Sequence, residues 1–172
     1  MTTRENTTLM VQARKATLGR TVIAGTIAGI VFNVVGFLTF VLIGSGLDRN
    51  GPLLDPGLQS PKMIAVWTTI EPLPLFQTRP ATMLLLYVLF GVTYAILFRS
   101  VAPAWPPGFV QRTGRLTLII WALSCLFFEL FGPFNLLGEP LGLVALELAF
   151  WAVMAVAAAA VIVTVQTAGR DR

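Results

Sequence analysis

Between Thr21 and Leu47 the chain carries no charged side chain. Wound as a helix, that run is about 40 Å long, whereas about 20 residues suffice to cross the hydrocarbon core of a bilayer. In lipid no water is present to satisfy backbone N–H and C=O groups, so a spanning segment must bond them internally, as a helix does. Further apolar runs follow, and the spans are read at about 21–47, 80–99, 116–134 and 141–166. The expected fold is an all-α integral membrane protein, a four-span helical bundle. It forms one membrane domain over 21–166, between a basic tail at 1–20 and a short tail at 167–172. Residues 48–79 form a Pro-rich outer loop.

Composition agrees. Only 12% of the 172 residues are charged and 56% are hydrophobic, against about a quarter charged in a soluble domain. The net charge of +4 does not point to nucleic acid, because the basic residues sit at the edges of apolar runs and not along one face. The expected surroundings are a lipid bilayer, with no nucleic-acid partner.

The basic residues also orient the spans. Arg4, Arg14, Lys15, Arg20, Arg99, Arg112, Arg115, Arg170 and Arg172 flank one side, while Arg49, Lys62 and Arg79 are spread over the long loop. The positive-inside rule then places both termini in the cytoplasm of a multi-pass protein. The first run follows Arg14, Lys15 and Arg20 as a signal peptide would, and Gly44-Ser45-Gly46 offers small residues for cleavage. Its length instead favours an uncleaved span.

Histidine is absent and Cys125 is the single cysteine. An intrachain disulfide, histidine-ligated haem and His/Cys zinc sites are thereby excluded. Asp48, Asn50 and Asp55 lack the spacing of a calcium loop. There is no P-loop, nucleophile elbow or Ser–His arrangement. No catalytic residue, cofactor or metal ligand is assigned, and the chain is not read as an enzyme. Acid–base work by two carboxylates on a lipid is the enzymatic alternative.

Within the loop, SPKMIAVWTTIE begins with Ser60 at an N-cap position and Pro61 at the first helical position. Met63, Ile64, Val66, Trp67 and Ile70 would form an apolar stripe. Two readings follow: a helix lying on the membrane surface, anchored by Trp67, or a lid over an opening between spans.

Helices in lipid associate where small residues let backbones approach. Gly25, Gly29 and Gly36 recur at helical spacing around Asn33 in the first span, Gly91 and Ala95 in the second, and Ala145, Ala149, Ala152 and Ala159 in the fourth. These faces would serve a compact bundle, a homo-oligomer or a larger membrane complex.

The most unusual stretch is FFELFGPFNLLGEPLGLVALELAF, residues 127–150. Pro133, Gly138, Glu139 and Pro140 are read as a helix break and turn, with Glu139 capping the fourth helix near water. Pro133 lacks the N–H that would bond the carbonyl of Glu129, so the third helix is expected to end or kink there. Cys125, Ala122 and Leu118 lie beneath Glu129 at regular helical spacing, a face expected to point inward. Glu129 and Glu147 flank Gly138 symmetrically and should lie at similar depth. Helix rotation leaves open whether they meet. At least one of the two is expected to be neutral at pH 7. Glu129, Glu147, Asn33 and Tyr87 are the candidate ion or proton site. Two functions follow: a structural or accessory bundle that packs with itself or a membrane partner, or a proton- or cation-coupled transporter or channel.

Overall fold

The computed structural model describes residues 16–168. The tail calls at 1–15 and 169–172, with Arg4, Arg14, Lys15, Arg170 and Arg172, lie outside the described residues. Four helices are long and apolar enough to cross a membrane: α1 Leu18–Ser45, α4 Pro80–Ala104, α5 Phe109–Leu136 and α6 Leu141–Thr167. Two short helices, α2 Pro61–Thr68 and α3 Leu75–Thr78, lie in the loop between α1 and α4. No strand occurs among the described residues. The chain is a small multi-pass membrane protein built as an all-α bundle.

Its outward faces carry side chains suited to lipid, including Ile23, Ile27, Leu85, Leu89, Leu123, Phe127 and Val153. The inward core joins Phe32, Phe98, Ile120, Met154 and Ile162 from all four spans.

Glycine decides how α1 meets α4. A Cβ on Gly25 would strike the backbone of Val92, one on Gly29 the carbonyl of Tyr87, and one on Gly91 the carbonyl of Gly25. The two backbones are therefore in direct contact. Gly36 makes room instead for the Met154 side chain of α6, whose Cε would lie 2.7 Å from an added Cβ. Ala95 is fully buried and its carbonyl accepts from Gln166 Nε2 of α6.

The alanine face of α6 is not the one expected. Ala145 and Ala149 are exposed and Ala152 is half-buried, whereas Ala155, Ala158 and Ala159 are buried. Near its start α6 presents Leu143, Val144, Glu147 and Phe150 inward. The inward positions of its early turns are thus taken by larger residues, and alanine turns inward only in the later ones.

α5 differs from expectation at both ends. It begins at Phe109, so Arg112 and Arg115 lie in its first turns. It also continues through Pro133 to Leu136. Residues Leu130–Leu136 wind as a π-helix with Pro133 inside, and this wider turn accommodates the proline ring without ending the helix. The stop comes at Gly138, at φ 68°, whose N–H bonds the carbonyl of Phe134, a left-handed C-terminal cap.

A second π segment, Trp121–Leu126, changes which face of α5 points inward. The buried positions are Thr113, Leu116, Ile120, Cys125, Glu129 and Pro133. The step from Ile120 to Cys125 is five residues, one more than a regular helix would use, and it falls in the π segment. Leu118 is accordingly 62% exposed, and the regular Leu118–Ala122–Cys125 face does not form.

The loop folds back onto the bundle. Gly51 N–H bonds the carbonyl of Ser45 and Leu53 N–H that of Gly44. Leu53 packs with Leu143 and Phe150 of α6. Ser60 caps α2 by accepting from Met63 N–H, as its position suggested. Met63 is buried, and Trp67 stacks near Phe76 at 5.2 Å. At the opposite end of the bundle, the Arg20 guanidinium donates to the carbonyls of Val165 and Ala168, and Arg99 to that of Ala16.

Candidate ion-binding site

Because α5 and α6 are joined by a turn of only four residues, Leu137 to Pro140, they run antiparallel side by side. Glu129 lies seven residues before the end of α5 and Glu147 six after the start of α6. Both are therefore roughly 10 Å along their helices from the turn, at one depth. The π turn beneath Glu129 rotates it toward α6. Carboxylate oxygens of Glu129, Glu139 and Glu147 all lie within 4.8 Å of one another. Helix rotation, open in the sequence, brings Glu129 and Glu147 together.

Glu139 joins them. Instead of capping α6 near water, it is 2% exposed, and the residue at the N-cap of α6 is Pro140. Its own N–H is held by the carbonyl of Pro133, and its side chain accepts from Gln59 Nε2 at 2.5 Å. Glu129 is fully buried and accepts from Trp151 Nε1 at 2.9 Å. Trp151 is itself packed against Phe32, Phe40 and Phe128. Glu147 is 8% exposed.

The donors around the centre are neutral. Lys62 directs its ammonium to the carbonyl of Leu136, beside the turn. Among the described residues none of the three glutamates makes an ion pair within 4.0 Å. Glu129 Oε1 and Glu139 Oε2 are buried without a hydrogen-bond partner. For Glu139, burial is the main force pushing the carboxyl up to about 7; the Gln59 hydrogen bond opposes this and the neighbouring Glu129 adds to it.

Loop residues cover the turn. Besides the Gln59–Glu139 bond, Ser60 Oγ donates to the carbonyl of Leu137 at 2.7 Å, and Ser60 N–H bonds Gln59 Oε1, fixing that amide. The start of α2 is thus tied to the α5–α6 turn through Gln59, Ser60 and Lys62. Gln59 gave no signal in the sequence: a glutamine in a Pro-rich loop stands out only once the fold sets it beside an acid 80 residues away. Trp151 has no mark in the sequence that singles it out among the aromatic residues of the spans.

Asn33 and Tyr87 are not part of the centre. Tyr87 packs against Phe32 at 5.6 Å, and Asn33 is half-buried on α1. Neither hydrogen-bonds a carboxylate among the described residues.

Three full negative charges at this spacing would repel by roughly 3 kcal/mol per pair, even at an effective dielectric of about 20. Their burial adds a desolvation cost. Protons or a bound cation must therefore neutralise most of that charge. Compared with protein-family models, curated proteins and solved structures, the chain matches none.

Proposed function

We propose that this membrane protein is ion-coupled, taking up and releasing protons or cations at the Glu129–Glu139–Glu147 centre as a small carrier or channel. The observation that carries this reading is the convergence of three buried carboxyls with no basic partner among the described residues. An accessory bundle needs only packing faces. Three mutually repelling acids weaken such a bundle unless they have a use, and ionisable groups inside membranes are commonly functional. The centre lies toward the loop end, where opening of the Gln59–Glu139 contact would connect it to water.

The test is flux in reconstituted vesicles across a panel of protons, monovalent cations and divalent cations. Glu129→Gln keeps the shape and the acceptor for Trp151 but removes the charge. It is expected to abolish ion-coupled flux while the protein stays folded. Wild-type vesicles no leakier than empty liposomes would refute the carrier reading and return weight to the accessory one.

The loop end is assigned to the outside of the membrane and both termini to the cytoplasm, supported by the placement of nine of the twelve basic residues. Reporters fused to either terminus should register the cytoplasm, and one within 48–58 the exterior. An externally active C-terminal reporter would invert this orientation.

A further inference from the structure

We infer that the three glutamates together hold one hard divalent cation, of the calcium, magnesium or manganese class. This rests on the ion-coupled reading of the same centre and names the ion it is built for.

The acidic cluster alone would not carry this. The added observation is the state of its oxygens. Glu147 is more than nine-tenths buried and makes no hydrogen bond to a side chain outside the cluster among the described residues. Glu129 Oε1 and Glu139 Oε2 are buried and unpartnered. Glu129 and Glu139 therefore each keep one oxygen without a protein donor. The remaining oxygens of Glu129 and Glu139 are held by Trp151 Nε1 and Gln59 Nε2. A donor on one carboxylate oxygen that leaves the other bare is how metal-binding carboxylates are oriented.

Spacing and donor type choose the ion. Two oxygens on one ion stand no farther apart than twice the metal–oxygen distance, about 4.2 Å for magnesium and about 4.8 Å for calcium. The three oxygens, all within 4.8 Å, fit the calcium span, and the shorter magnesium span would draw them closer. An all-carboxylate set without imidazole or thiolate selects hard ions over zinc or copper. One divalent ion against three carboxylates leaves one net negative charge, where a monovalent ion would leave two. The remaining coordination positions would go to second carboxylate oxygens or water. Shared protons could satisfy the same oxygens, and this is the outcome against which the experiment is set.

Full-length protein in mild detergent near neutral pH is titrated with Mn²⁺ and the free ion is read by electron paramagnetic resonance. One saturable Mn²⁺ per chain is expected, displaced by Ca²⁺ or Mg²⁺ and not by Na⁺ at matched ionic strength. Glu129→Gln and Glu147→Gln should each weaken binding about tenfold or more, with an unchanged elution profile. Should either variant fail to fold, the wild type still decides: its melting temperature must rise with Mn²⁺ or Ca²⁺ and not with Na⁺. Absence of saturable binding up to about 10 mM, above the weakest class of protein calcium sites, overturns the inference. So does binding that survives the double substitution. Proton flux without divalent binding would remove this inference and leave the proposed function standing. Binding without any flux would do the reverse.

Discussion

The two halves of the bundle are held together by opposite means. Where α1 meets α4, Gly25, Gly29 and Gly91 set backbone against backbone, with no side chain able to intervene. Where α5 meets α6, side chains do the joining. Trp121 Nε1 donates to the carbonyl of Leu148, Trp151 Nε1 to Glu129, and the acids meet between the helices. Dispersion and close approach hold the first contact. The second contains groups whose charge state can change. A membrane protein that binds or exchanges ions needs both: a contact indifferent to its surroundings, and beside it one that responds.

The largest effect is expected from breaking the first contact. Gly29→Leu would drive a side chain into the Tyr87 carbonyl, where the obstacle is backbone and cannot rotate away. The loss should exceed the 1–3 kcal/mol typical of overpacking, seen as a collapse of the melting temperature in detergent. Ala149→Leu, on an exposed position of α6, is the matched control and should be almost silent. Equal melting of Gly29→Leu and wild type would show that α1 and α4 are not in backbone contact.

A smaller effect should come from the second contact, and it depends on pH. The Glu139 carboxyl is pushed up to about 7 from an ordinary 4.5. The folded state thus holds this proton more tightly than the unfolded chain. The sign follows: stability from this group is fully present below about 4.5 and is lost as pH rises through about 7. Melting temperatures in metal-free detergent should fall between about pH 5 and about pH 8, and Glu139→Gln should flatten that slope. A slope unchanged by Glu139→Gln would assign the proton elsewhere.

The contrast also explains what the sequence disclosed. Four spans, the loop, the Ser60 cap and the glycine faces are legible because hydropathy, proline and small-residue spacing act locally. The acids were legible as exceptions in an apolar stretch, but their meeting was not. Regular helical spacing puts Leu118 and Ala122 beneath Glu129, while the π turn at Trp121–Leu126 substitutes Ile120 and Leu116. One extra residue in a turn has no compositional signature. Pro133 misled for a related reason, since a wider turn accommodates what a regular helix would expel. Glu139, beside a proline and next to a turn, has every local mark of a solvated cap. Only the loop folding over it, with Gln59, makes it a buried acid.

Arg20 sits two residues into the first span, yet its guanidinium is satisfied by the carbonyls of Val165 and Ala168, at the far end of the chain. During synthesis the glycine contact between α1 and α4 can close as soon as residue 104 has emerged. Arg20 must wait for the last residues of α6. Chain order therefore sets the earliest moment at which each contact can form, the passive half first. The hairpin that brings the acids follows it in the chain, and the clamp joining α1 to α6 can close only once residue 168 has been made.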